Sequence, residues 1–180
     1  MTDETVVRLC APTLAGMKTG SLFTTRYGCP GELYGEVRRL NRLLYKRGVR
    51  VLPLAAGSGR ALIYLYRPAR LRGDLADGEA RDILAPRGYD CDAPERCLAR
   101  LARRIAAGDG FPHEIGLFLS YPPEDVRGFL RDPARCVFSG CWKVYGDAAC
   151  AGRLFDSYRR CTREYRRLFE LGLSVEQLVK

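Results

Sequence analysis

A histidine beside a carboxylate, His113-Glu114, is the only such neighbour pair in the 180 residues, and His113 is the only histidine. An imidazole titrates near neutral pH and suits proton transfer. In an extended segment, however, adjacent side chains point to opposite faces. The two would then not act on one substrate atom, and capping or hydrogen bonding is the alternative role. A second candidate is the loop Gly16-Met-Lys-Thr-Gly-Ser21. Lys18 and the loop amides could hold a small anion. The loop lacks the G-x-x-x-x-G-K-[ST] order of a nucleoside-triphosphate site, and its alternative is a Gly-rich connection whose Ser and Thr satisfy their own backbone. Further candidates are Ser120, Tyr121, Trp142, Lys143 and Tyr145, which gather aromatic and polar groups around two turns.

The eight cysteines are Cys10, Cys29, Cys91, Cys97, Cys136, Cys141, Cys150 and Cys161. None forms a C-x-x-C pair, and one histidine gives little help as a co-ligand. Zinc sites normally show close Cys/His pairs, so the spacing predicts no structural metal. It also predicts no obligatory disulfide, with most thiols acting as small buried hydrophobes.

The elements that would position these groups are readable in part. Leu33, Val37, Leu40 and Leu44 repeat at 4, 3 and 4, predicting a helix over 31–47 capped by Gly48. Val49 to Ala56 and Arg60 to Arg67 flank Gly57-Ser58-Gly59, which predicts a hairpin. Pro53 lacks a backbone donor and places the first of these strands at an edge; the second is central. Residues 1–29 are harder: Val6, Val7 and Leu9 suggest a short element, and Gly16 to Phe23 reads as an ordered loop. Helices are predicted near 74–85 and from Asp92-Ala-Pro-Glu95, a capping-box-like start, to Gly108-Asp-Gly110. Glu114 to Ser120 reads as a buried strand, followed by a short helix to about Leu130. Val137 to Tyr145 reads as another strand. A long helix then runs to Leu171, with Cys150, Leu154, Tyr158, Cys161, Tyr165 and Leu168 on its apolar stripe and Arg159, Arg160, Arg163, Arg166 and Arg167 mostly on other faces. Ser174 and Gln177 can cap a terminal turn. If the strands at 114–120 and 137–145 are parallel, Ser120-Tyr121 and Tyr145-Gly146 emerge at one sheet edge, where α/β units favour ligands. The alternative is a pair of well-capped helices, with Pro123, Glu124, Asp125 and Asp147 as first-turn residues.

Three segments together carry a resemblance: Cys10-Ala-Pro-Thr-Leu-Ala-Gly16, Phe111-Pro-His-Glu-Ile-Gly-Leu-Phe-Leu-Ser-Tyr-Pro-Pro-Glu-Asp-Val126 and Cys141-Trp-Lys-Val-Tyr-Gly-Asp147. In order, spacing and total length the chain resembles a bacterial family known as domain of unknown function 3793. The resemblance implies no activity and names no catalytic residue. It implies a link to iron homeostasis by association alone, since members stand near ferrous-iron transport and flavodoxin genes.

Bulk properties bound the rest. Hydrophobic residues make up 47% of the chain and charged residues 28%, ordinary for a globular protein. No apolar run approaches the roughly 20 residues of a membrane span, and the acidic start Met1-Thr2-Asp3-Glu4 has no apolar region of a secretory signal. The expectation is a cytoplasmic protein. The net charge is +9, and only Lys18, Lys46, Lys143 and Lys180 among the 30 basic residues are lysine. Such a balance admits nucleic acid or another polyanion, but the arginines are spread along the chain and interrupted by acids such as Asp156, Glu164 and Glu170. Nucleic acid is therefore the less favoured partner, and a small-molecule or anionic ligand the favoured one. The expected fold is α+β, one domain over 1–180, with a mixed central sheet of about four strands, helices packed on it and a long amphipathic helix at the end. The leading expectation is a ligand-binding or accessory protein whose pocket lies by 111–126 and 141–147. The alternatives are a small enzyme using His113, Lys18 or Lys143, and a nonspecific nucleic-acid binder. The cofactor and the oligomeric state are left open.

Overall fold

The computed structural model describes residues 1–108 and 110–180. In chain order the elements are α1 (Asp3–Leu14), β1 (Gly20–Arg26), α2 (Pro30–Leu44), β2 (Arg50–Gly57), β3 (Arg60–Tyr66), α3 (Pro68–Ala76), α4 (Gly78–Leu84) and α5 (Pro94–Ala107). They continue with a 3-10 helix His113–Leu119, α6 (Pro123–Arg131), β4 (Phe138–Ser139), β5 (Lys143–Val144) and α7 (Ala148–Glu170). The fold is α+β and ends in a long helix, as expected. The residues divide into two compact units: a terminal unit of Met1–Arg70 with Arg160–Lys180, and a central unit of Leu71–Arg159.

In the terminal unit, β1, β3 and β2 form an antiparallel sheet in that order. The β2–β3 turn is two residues long, with Ser58 (φ 49°) and Gly59 (φ 71°) both left-handed. That matches the right-handed twist of the strands. Pro53 lies on an edge strand, and the register shifts between Pro53 and Ala55. One sheet face carries Ala61, Ile63 and Leu65 into a core with Leu33, Val37, Leu40 and Leu44 of α2, Val6 and Cys10 of α1, and Tyr165. Arg67 holds the end of α1: its Nε donates to Thr13 O at 2.7 Å and its Nη2 to Leu14 O at 2.6 Å and Lys180 O at 2.5 Å. A cation there offsets the partial negative charge of the helix C-terminus. The terminal turn is capped reciprocally, Ser174 N donating to Gln177 Oε1 at 2.8 Å and Gln177 N to Ser174 Oγ at 3.3 Å.

The short element suggested by Val6, Val7 and Leu9 is a helix over 3–14 despite Pro12, which sits in its last turns where its carbonyl accepts from Met17 N at 2.8 Å. The ordered loop expected over Gly16 to Phe23 fails from Gly20 on: Gly20–Arg26 is a strand paired with β3 over seven residue pairs. Gly20 is needed there, because a Cβ would stand 2.3 Å from the buried ring of Tyr64. Gly20→Ala is expected to destabilise the protein by about 1–3 kcal/mol through overpacking. Gly35→Ala on α2, where nothing lies within 4 Å, should instead stabilise by roughly 0.4–1 kcal/mol. Urea unfolding of the two variants reads this sign difference; equal effects would remove the contact argument.

In the central unit, Glu114–Leu119 is buried but helical, not a strand. Gly116 lets the following turn pack closely on this segment: a Cβ there would meet Tyr121 and Val126 at 2.8 Å. Residues 138–139 and 143–144 pair antiparallel with each other as a separate ribbon. The sheet expected to join 60–67, 114–120 and 137–145 is therefore replaced by a three-stranded sheet and this ribbon. The parallel strand pair that would have placed Ser120 and Tyr145 at one carboxyl edge does not form. No helix among the described residues is long and apolar enough to cross a membrane.

Candidate functional site

Asp125 organises one side of the central unit. It lies in the first turn of α6 and is 3% exposed. Its carboxylate accepts from Trp142 Nε1 at 2.7 Å, from Tyr145 N at 2.6 Å and from Gly146 N at 3.2 Å. Sequence reading saw Asp125 only as a first-turn residue; its charge instead ties the β5 segment to α6. Asp147 keeps the capping role read for it, its Oδ1 accepting from Cys150 N at 2.9 Å. Tyr121 stacks on Trp142 at 4.5 Å between centroids, and Trp142 meets Phe155 edge-on at 4.4 Å. The ring of Tyr145 lies where a Cβ on Gly128 would be. Burial, chiefly, raises the pKa of the Tyr121 hydroxyl. Trp142, Tyr121 and Tyr145 are thus packed together around a satisfied carboxylate, and their contacts are those of a core.

His113 and Glu114 diverge, as their adjacency suggested, although the segment is helical and not extended. His113 is exposed and meets Phe129 at 4.6 Å and Phe111 at 5.8 Å. Glu114 is 1% exposed; its Oε1 accepts from Tyr89 Oη at 2.8 Å and pairs with Arg104 Nε at 3.0 Å. Burial and the bond to Glu114 push the Tyr89 hydroxyl far above the usual tyrosine range. Lys143 Nζ donates to Pro133 O at 2.8 Å and stands 5.7 Å from the Phe129 centroid. Ser120 adopts φ 61° as the cap of the 3-10 helix, and its hydroxyl donates to Asp74 Oδ2 at 3.4 Å. These seven candidates belong to the central unit, whereas Lys18 belongs to the terminal unit. In the Lys18 loop the Gly16, Met17 and Lys18 amides donate to Thr13 O and Pro12 O. They satisfy the last carbonyls of α1 and do not converge on a ligand.

The residues that sequence reading missed lie on α5. Arg100, Arg103 and Arg104, with Ala107 and Gly110, line an open pocket of about 380 Å³. Their i, i+3, i+4 spacing puts them on one helix face. Arg100 is held by Arg87 O, which accepts from its Nε at 3.3 Å and Nη2 at 3.2 Å, and its guanidinium lies against the left-handed Gly88 (φ 76°). Arg104 is held by Glu114. Arg103 donates to Ala99 O at 3.3 Å, one turn back in α5. Among the described residues, the lining holds no carboxylate. The nearby end of α5 carries about half a negative charge, so the guanidiniums supply the positive field. The signal was the run Arg100-Leu-Ala-Arg-Arg104 in the sequence, passed over because the helix was read from its Asp92-Ala-Pro-Glu95 start and from the apolar positions Cys97, Leu98, Leu101 and Ile105. In the terminal unit a smaller cleft of about 160 Å³ is lined by Glu4, Val7, Arg166, Phe169 and Glu170, with both signs of charge. Among the described residues, no group of three or more His, Cys, Asp or Glu could hold a metal ion.

These elements define an α+β protein with a small antiparallel sheet, a separate two-stranded ribbon and a long closing helix. Over residues 6–179 the chain matches the family described as protein of unknown function, domain of unknown function 3793, and it belongs to that family. No curated protein and no solved structure matches it.

Proposed function

We propose that the protein binds a small anionic ligand, through a phosphate or carboxylate group, in the arginine-lined pocket of α5. The observation that carries this is the convergence of Arg100, Arg103 and Arg104 on one pocket. Two of the three guanidiniums are already oriented by Arg87 O and Glu114, which lowers the ordering entropy that binding must offset. Planar guanidiniums match the oxygen spacing of phosphate and carboxylate. A volume of about 380 Å³ lies within the roughly 300–1,000 Å³ of small-molecule pockets.

A long polyanion is less well supported. On α7, Arg159 pairs with Asp156 at 2.9 Å and Arg167 with Glu164 at 2.7 Å, so acids interrupt its arginine face. The test is calorimetric titration with inorganic pyrophosphate at low salt. Arg103→Ala is expected to weaken binding on the order of tenfold or more, the loss of one charge-assisted hydrogen bond. Arg103 is exposed, so the variant should fold. Absent binding, or binding indifferent to Arg103, removes the proposal.

A further inference from the structure

We infer that Cys91 and Cys97 form a reversible oxidation site, a dithiol that closes into an intramolecular disulfide in the presence of hydrogen peroxide. Both are free thiols in the resting protein. Two contacts put their sulfurs side by side. The thiols are hydrogen-bonded to each other. The Cys97 thiol also lies 3.0 Å from Asp90 O, to which it donates, and Asp90 is joined directly to Cys91. The backbone suits closure. Asp90 to Ala93 is a turn, with Ala93 N donating to Asp90 O at 3.0 Å, while Cys97 stands on the early part of α5. The turn is tied to α5 by Arg96–Asp90 at 3.0 Å and to α4 by Arg81–Asp92 at 2.5 Å. The helix side is fixed, so the approach of the sulfurs to the ~2.05 Å of a disulfide falls on the turn.

Burial and charge set the order of events. Cys97 is 0% exposed, and burial pushes its thiol up to about 12, so it starts protonated. Cys91 is 9% exposed; burial raises its thiol too, but the nearby Arg81 cation works against that rise. Cys91 is therefore the attacking sulfur, because the thiolate is the nucleophile. It attacks one peroxide oxygen and the O–O bond breaks. Cys91 becomes a sulfenic acid, and the departing hydroxide takes the thiol proton and leaves as water. The Cys97 thiol then attacks the Cys91 sulfur. The S–S bond forms, the S–O bond breaks, and the second hydroxide leaves as water with the Cys97 proton. Two thiols are oxidised by two electrons, and one peroxide is reduced to two waters. A largely buried attacker is reached slowly, so the pair responds stoichiometrically to peroxide and does not turn it over. The site is independent of the anion pocket.

The experiment treats the native full chain with hydrogen peroxide, removes the excess with catalase, and blocks the remaining thiols with N-ethylmaleimide in denaturant. Trypsin then cuts after Arg87, Arg96 and Arg100 and so separates the two cysteines. The expected product is peptide 88–96 joined to peptide 97–100, released by dithiothreitol. It should form ahead of any link involving the exposed Cys29, Cys141 or Cys150. In Cys97→Ser the sulfenic acid has no thiol to resolve it, and dimedone should trap it on Cys91. The wild-type map stands even if that variant fails to fold. Recovery of both Cys91 and Cys97 as maleimide adducts, or disulfides formed chiefly with other cysteines, overturns the inference. So does a folded Cys97→Ser that carries no dimedone on Cys91.

Discussion

Asp125→Ala is expected to lower the stability of the central unit by about 3–5 kcal/mol. The carboxylate is buried and accepts three N–H donors, one from the Trp142 indole and two from the backbone of Tyr145 and Gly146. Hydrogen bonds to a charged acceptor contribute about 1.5–3 kcal/mol each, and each buried donor left without a partner costs about 1–3 kcal/mol. These terms overlap, so their full sum is not reached. Asp125→Asn should be nearly as damaging, at about 2 kcal/mol or more. An amide offers one acceptor oxygen, and its NH₂ would face donors where the carboxylate offers a second acceptor. Trp142 is the natural reporter, since its indole is bonded to the substituted group and the chain has no other tryptophan. Both variants should show a red-shifted emission and a lower urea midpoint. A loss below about 1 kcal/mol for Asp125→Ala would show that the three bonds are replaced by water.

How much of this was legible in the sequence follows from where the determining contacts lie. The α2 helix, the Ser58-Gly59 hairpin, the Asp147 cap and the Ser174/Gln177 cap each depend on residues within a few positions, and all were readable. The segment 114–119 was not. Every residue from Glu114 to Leu119 is buried, so it has no polar face, and periodicity cannot separate a short buried strand from a short buried helix. The close packing of Gly116 on Tyr121 and Val126, where a Cβ would not fit, is a tertiary contact that periodicity does not report. β1 was missed because its partner β3 lies about 40 residues away, and its opening Gly and Ser look like loop. The candidate site divides in the same way. Trp142, Tyr145 and Tyr121 were picked out for their type, but Asp125, which holds two of them, is recognisable only once residues 17 to 21 positions apart are in contact. The arginines of α5 were visible as charges. That they line a pocket depends on Arg87 and Glu114, which anchor two of them from outside the helix.

The Glu114–Arg104 pair should respond asymmetrically to removal of its two partners. Glu114 is 2% exposed at the side chain and Arg104 34%. Arg104→Ala leaves a buried carboxylate supported, among the described residues, by the Tyr89 hydroxyl, and breaking a buried pair in this way costs about 3–5 kcal/mol. Glu114→Gln leaves the cation behind instead. Its guanidinium is a third exposed and can turn to water, while the glutamine carbonyl can still accept from Tyr89, so the loss should be about 1–2 kcal/mol after discounting for solvent. The double variant should be more stable than the two single losses predict, by about 1–3 kcal/mol, because the carboxylate orphaned by Arg104→Ala is no longer charged. Urea unfolding of the four proteins closes this cycle. The same set bears on the pocket. Glu114→Gln removes a negative charge directly behind Arg104 and also releases the guanidinium that Glu114 orients; at low salt the charge effect should dominate and strengthen pyrophosphate binding, and the gain should shrink as salt rises. Equal losses for the two single variants, with pyrophosphate affinity unchanged in Glu114→Gln, would show that the pair is a surface contact in solution and that Glu114 does not set the charge of the pocket.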